Sequence, residues 1–337
     1  MGPSNLEELP LRFASSLPTT WRTAWLALAL CLCGATVWAE YPDKPIKLVV
    51  SFTAGGTTDI LARTVTQQLS EKLKQPFVID NKPGAGGNLG TELVVRSAPD
   101  GYTLIVNSVG PIAVNPTLYG KLPYNPLTDL MPIVQIADVP NVLVIHPSVP
   151  ANTMEELIAY AKANPGKLNY GSTGIGTSSH LSSFMLSKRV GFEATHIPYK
   201  GPAPAIADLL GGRLDMVLTA SASALVKAGK VRVLAVTSEK RVPGFPDVPT
   251  LDELAPGVQA VSWVGISAPV QTPRAITSLL EKELLAILNA PEMQARLSEP
   301  TLGMTPMVLG SEKFVEFIQK EIRVWSPIIK GGNIRID

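Results

Sequence analysis

Residues 46–73 read IKLVVSFTAGGTTDILARTVTQQLSEKL, and this stretch decides the fold class. Its aliphatic opening, residues 46–52, has the composition of a buried strand. From about Thr58 the period changes. Leu61, Val65, Leu69 and Leu73 recur at helical spacing and make one buried stripe, while Arg63, Gln67, Glu71 and Lys74 fall on other faces. Between strand and helix lies Ser51-Phe52-Thr53-Ala54-Gly55-Gly56-Thr57-Thr58, a junction without charge whose small residues let backbone N–H groups approach a ligand.

The same alternation runs outward from this unit and predicts an α/β protein. Strands are expected at 77–80 and 102–107, with a helix near 89–96. A Pro-rich stretch, 111–132, interrupts the pattern, and the apolar run 142–145 restarts it. Thr153 and Glu156 have capping-box spacing and open a helix that Pro165-Gly166 ends. Strands at 168–170, 194–197, 214–218 and 231–237 follow, with helices near 180–188, 203–210 and 222–227. The turn-rich segment 242–249 leads to a strand at 261–267 and to helices near 274–288 and 311–330, which return to the first unit. The inferred architecture is two sheets with a cleft between them: residues 40–141 plus 264–337 form one domain and 142–263 the other.

The first forty residues have a different character. Arg12 and Arg22 precede the apolar run 24–32, and Val37-Trp38-Ala39 follows, the pattern of a secretory signal cleaved near Ala39. That run falls short of the ~20 residues a membrane span needs. Both cysteines, Cys31 and Cys33, lie inside residues 1–39, so the exported chain is expected to carry neither a disulfide nor a thiolate metal site. The expected location is the periplasm.

Composition excludes other classes. Lys plus Arg total 29 against 28 for Asp plus Glu, which provides no basic field for a polyphosphate backbone, so nucleic acid is not an expected partner. The three histidines lack metal-ligand spacing, and no metal or cofactor is expected. The run Gly84-Ala85-Gly86-Gly87-Asn88-Leu89-Gly90 approximates a dinucleotide fingerprint, but its last glycine is one place late. Gly265-Ile266-Ser267-Ala268-Pro269 misses the nucleophile elbow. Without a reactive pair, the chain is not expected to be an enzyme.

Ligands of open α/β sheets bind beyond the carboxyl ends of strands, and three neutral junctions occupy such places. The first supplies Thr53, Ala54, Gly55, Gly56 and Thr57. The second, 171–179, supplies Ser172, Thr173, Gly174, Gly176 and Thr177. The third supplies Thr219, Ala220 and Ser221. A helix N-terminus carries about half a positive charge and unpaired N–H groups, so such loops hold a carboxylate without a cationic side chain. Glycines and hydroxyl residues also make ordinary turns and caps, but three such loops in one chain favour binding. Asp59 fits a first-turn acid that complements the helix dipole. His180 fits a ligand donor and a structural cap equally. His146 and His196 read as structural, Trp263 and Tyr199 as core more than as pocket lining, and Lys200 as either solvated or opposite a distal ligand charge.

The chain resembles the extracytoplasmic receptors of tripartite tricarboxylate transporters, the Bug proteins. The resemblance rests on Tyr41-Pro42-Asp43-Lys44-Pro45-Ile46, Gly55-Gly56 with Asp59, Asn81-Lys82-Pro83-Gly84-Ala85-Gly86-Gly87-Asn88 and Ala98-Pro99-Asp100-Gly101-Tyr102-Thr103. It extends through Asn164-Pro165-Gly166-Lys167-Leu168, Gly174-Ile175-Gly176-Thr177 with His180, Pro198-Tyr199-Lys200-Gly201, Asp208-Leu209-Leu210-Gly211-Gly212 and Asp247-Val248-Pro249-Thr250. It implies a type II periplasmic binding protein fold whose two domains, crossed near Asn141 and Val264, close on an organic acid. It also implies binding through the first two loops, with Ser108 and Gly110 added by position.

The ligand so implied is a small organic carboxylate, namely a dicarboxylate, tricarboxylate or aromatic carboxylate. Many relatives carry Asp or Asn in the third loop; Thr219-Ala220-Ser221 here argues against a ligand ammonium. A monomer serving the membrane components of such a transporter is expected. A binding protein that feeds a membrane sensor kinase is the alternative.

Overall fold

The computed structural model describes residues 41–299, 302–331 and 334. The expected leader and both cysteines lie outside these residues.

Two sheets organise the chain. In the first, β1 (Ile46–Val50) pairs in parallel with β2 (Phe77–Asn81) and with β3 (Thr103–Ser108). β10 (Val261–Pro269) runs antiparallel between β3 and β4 (Leu130–Pro140), and β11 (Thr305–Gly310) flanks β4 at the edge. The second sheet has the order β7 (Ala194–Pro198), β6 (Leu168–Ser172), β8 (Met216–Leu218), β5 (Val142–Ile145), β9 (Arg232–Val236).

The strand β5 shows why the second sheet forms. Val142 and Val144 pack into one apolar cluster with Leu209, Val217 and Val236, whereas Leu143 and Ile145 pack into another with Leu157, Tyr170 and Met216. Both faces are buried, so the strand is an unbroken aliphatic run. In the first sheet, Val49, Ile105 and Trp263 pack with Phe314 and Ile318 of the helix Ser311–Gly331. Trp263 meets Phe314 edge-on at 5.3 Å between ring centroids and is core, as its sequence position implied.

Among the elements that escaped the periodicity are β4, β11 and the helices Leu251–Leu254 and Pro291–Leu297. The Pro-rich stretch 111–132 is short helical segments, Gly110–Val114, Asn115–Leu118 and Pro126–Asp129, that run into β4. β4 carries Pro132 and Pro140, which look like breakers. Pro132 sits at a register shift against Ser267 and beyond the part of β4 that β11 covers, where a missing N–H is tolerated. The Thr153 cap is half a capping box: Thr153 Oγ1 accepts the Glu156 N–H, but Glu156 takes the Asn152 N–H.

The chain passes from β4 to β5 through Asn141 alone. It leaves the second sheet at Thr237, after β9, and re-enters the first at Val261. Val264 lies within β10 and pairs with both Ser108 and Ala137, so the return precedes it. The two passages are tied together: Asn141 N–H donates to Thr237 Oγ1 at 2.9 Å, and Thr237 N–H donates to Asn141 O at 3.0 Å.

Candidate functional site

The first neutral junction turns out of β1 into the helix Thr57–Leu73. Gly56 is the N-cap and supplies no side chain to the exposed amides of the first turn. Gly55 holds φ at 80°, and its N–H donates to Asp59 Oδ2 at 2.9 Å. Asp59 also receives Arg63 Nε and Nη2 and Asn81 Nδ2, each at 3.0 Å. Burial works to raise the Asp59 pKa, but the hydrogen bonds from Arg63, the Gly55 N–H and Asn81 hold it below its ordinary value. The residue therefore braces the loop from behind.

The second junction joins β6 to the helix Ser178–Val190. Thr177 is its N-cap: Thr177 Oγ1 accepts the His180 N–H and the Thr173 hydroxyl, and donates to Gly174 O at 2.7 Å. His180 Nδ1 accepts the Gly176 N–H at 3.3 Å, and His180 stacks on His196 at 4.6 Å. Ser172 is fully buried, with Oγ 2.7 Å from His196 Nε2. Burial pushes the His180 pKa down to about 4, aided by His196, and burial alone does the same to His196.

The third junction follows β8. Ser221 Oγ accepts the Thr57 N–H at 3.1 Å and lies 2.9 Å from Thr57 Oγ1, so the first and third loops touch. Ser179 Oγ donates to Leu218 O and ties the second loop to the strand that carries the third.

These junctions surround an open cleft of about 520 Å³, counted with the solvent space at its mouth. Of the residues predicted from sequence, Gly56, Thr57, Ser108, Gly110, Thr173, Thr177, Thr219, Ala220 and Ser221 line it. Thr53, Ala54, Gly55, Ser172, Gly174, Gly176 and His180 do not. The amides of Gly55 and Gly176 are spent inside their own loops, and the Ser172 hydroxyl faces His196. Tyr199 and Lys200 also lie outside the lining; the Tyr199 hydroxyl donates to Asp208 at 2.6 Å.

Sequence reasoning missed Phe52, Thr58, Val109, Val139, Asn141, Ser178, Pro202 and Ser262. Phe52, Thr58 and Ser178 stood within the quoted loops. Asn141 is the passage from β4 to β5, and Val139 and Ser262 stand in β4 and β10 next to the two passages; the Asn141 crossing was a signal for them. Pro202 begins the helix Pro202–Leu210 and gave none. A Cβ on Gly56 would lie 2.6 Å from Pro202 Cγ, so the floor of the cleft has no room for a side chain there.

Among the described residues, no side chain that lines the cleft is ionisable. The polar groups are hydroxyls, the Asn141 amide and backbone N–H groups at the starts of two helices of 17 and 13 residues. Helix N-termini of that length favour an anion. Ser108 Oγ is buried without a hydrogen-bond partner. A site so composed has donors for a carboxylate and no side chain for general acid–base chemistry. Among the described residues, no group of three or more His, Cys, Asp or Glu is placed to hold a metal, and no helix is long and apolar enough to cross a membrane.

Comparison with known proteins agrees with this geometry. Residues 61–334 match the family described as tripartite tricarboxylate transporter family receptor. The periplasmic binding protein BugD superimposes with a TM-score of 0.83 at 36% identity, over 88% of this chain and 99% of that one. Rpa4515 of R. palustris, solved with adipate, gives 0.85 at 36% identity over 88% and 99%. MatC of Rhodopseudomonas palustris, with bound malate, gives 0.80 at 30% identity over 86% and 100%. The fold is that of the periplasmic binding proteins, and the family is one of receptors rather than enzymes. Taken with its neutral, N-terminus-lined cleft, the chain belongs to the tripartite tricarboxylate transporter receptors, the Bug proteins.

Proposed function

We propose that this protein is a periplasmic receptor that captures a small organic carboxylate in the cleft and presents it to the membrane components of a tripartite tricarboxylate transporter. The observation that carries this reading is the charge-free lining at the starts of the helices Thr57–Leu73 and Ser178–Val190, with Ser108 Oγ buried and unpartnered beside it. Neutral donors hold a carboxylate without a buried ion pair whose rupture would slow release. The sixteen residues expected from sequence divide accordingly: those that line the cleft are proposed to touch the ligand, and the others to shape the loops. The leader is proposed to direct export and to be cleaved near Ala39, and the two sheets to act as two domains that close as monomers.

The third loop offers Thr219, Ala220 and Ser221 and no acid, so a dicarboxylate, tricarboxylate or aromatic carboxylate is favoured over an amino acid. The neighbours bound to adipate and malate support a dicarboxylate in particular. Thermal-shift titration against adipate, malate, citrate, benzoate, aspartate and glutamate tests this. A true ligand at 100 times its Kd adds about 2.7 kcal/mol of stability. Stabilisation by the acids without an amine is expected; selective stabilisation by aspartate or glutamate would refute the assignment.

A further inference from the structure

The two longest helices that start at the cleft are built alike in a way that neither loop shows alone. In each, the third residue of the helix reaches back to the glycine that precedes the N-cap. Asp59 accepts the Gly55 N–H, and His180 accepts the Gly176 N–H, over the same separation of four residues. Both glycines hold positive φ, 80° and 79°. In a capping box, the third helical residue accepts the N–H of the N-cap itself; here the acceptor is shifted by one residue onto the glycine before it.

We propose that Asp59 and His180 are matched positioning residues of the receptor, each fixing by this bond the orientation of the loop that delivers its helix N-terminus to the ligand. The proposal rests on the receptor reading above. Each bond consumes an amide that would otherwise compete for the cleft. It also pins the turn through which Gly56 and Thr57, or Thr173 and Thr177, reach the lining.

The two acceptors differ for an electrostatic reason. Asp59 is charged, but Arg63 lies against both of its oxygens, so its charge is neutralised locally. Among the described residues, no cation is bonded to His180. Its ring packs on His196, which packs in turn on Tyr170 at 4.8 Å. A carboxylate at position 180 would place an uncompensated negative charge in the first turn of a helix proposed to hold an anion. A neutral imidazole accepts the same bond without that repulsion. Because the Gly176 N–H can only donate, His180 Nδ1 carries no proton and the ring hydrogen is on Nε2. The lowered pKa of His180 is consistent with that form. His196 continues the support, since Ser172 Oγ, which takes the Gly174 N–H, lies within reach of its Nε2.

The test compares His180→Asn, which places an amide oxygen near the Nδ1 position, with His180→Leu, which keeps bulk and removes the acceptor. Two readouts are made on the full-length protein: affinity for adipate and malate, and hydrogen exchange of the Gly176 amide without ligand. His180→Leu is expected to lose about tenfold in affinity and the protection of Gly176, while His180→Asn keeps both to within about threefold. Unchanged Gly176 protection in His180→Leu overturns the proposal, as does unchanged affinity. An equal loss in both variants also overturns it, because a merely structural imidazole would not be rescued by asparagine. If the unmodified protein binds neither acid, the choice of ligand fails, and amide exchange still decides the role of His180.

Discussion

Ser108 gives the most direct single-residue test of the cleft. Its hydroxyl is buried, lines the cleft and has no hydrogen-bond partner among the described residues, so none of them offsets its desolvation. A ligand oxygen at this position would recover it. Ser108→Ala is therefore expected to weaken adipate or malate binding by about tenfold while leaving the ligand-free melting temperature unchanged or slightly raised. Calorimetric titration and thermal melting of the same variant check both halves; a drop in ligand-free stability with intact affinity would assign the hydroxyl a structural partner instead. The family resemblance added Ser108 by position, and the residue stands at the end of β3 among those that line the cleft. Ser172 came from the second neutral loop as a hydroxyl, but the destination of that oxygen depended on His196, 24 residues later. Residue type was legible in the sequence; the direction of a side chain was not.

At the level of elements, junctions were legible wherever periodicity changed sharply, as from β1 into the helix Thr57–Leu73. They were hidden where proline broke the pattern without breaking the strand, as in β4. The histidine stack behind the second loop was hidden for another reason, since β6–β7 pairing sets Tyr170 beside His196 and His180 reaches them from the helix Ser178–Val190. That stack makes the Ser178–Val190 element sensitive to acid. Burial lowers both imidazole pKa values from 6.5 to about 4. The unfolded chain thus binds protons below pH 6.5 that the native state refuses until about pH 4. Stability is fully present above pH 6.5 and falls between those limits. The loss is about 3 kcal/mol for His180, and less for the partly exposed His196, where water screens the charge. Denaturant unfolding at pH 7.5 and 4.5 should show a steeper loss in the native protein than in His180→Asn, the carboxylates common to both cancelling in the comparison. Parallel losses would mean that His180 is already protonated in the native state.

On the scale of the whole molecule, the two sheets meet through glycines where no side chain fits. A Cβ on Gly86, in the short helical turn Ala85–Gly87, would lie 2.1 Å from the backbone oxygen of Ile175 in the second loop. One on Gly176 would lie 2.0 Å from Asn115 Oδ1. These contacts, with the Thr57–Ser221 bond, hold the loops together across the cleft. In sequence, the glycines around residue 86 resembled part of a nucleotide fingerprint; in the fold, Gly86 is a point of backbone contact between the two halves of the site. Only a tertiary structure distinguishes these uses, because the chain that approaches Gly86 lies some ninety residues away. If the halves move apart about the Asn141–Thr237 passage, a methyl group at position 86 penalises the touching arrangement and leaves the separated one untouched. Gly86→Ala, also strained by a φ of 62°, is then expected to weaken carboxylate affinity by about tenfold or more. Its small-angle scattering profile should stay expanded at adipate concentrations that compact the native protein. A variant that compacts normally on binding would show that ligand capture does not require Gly86 and Ile175 to touch.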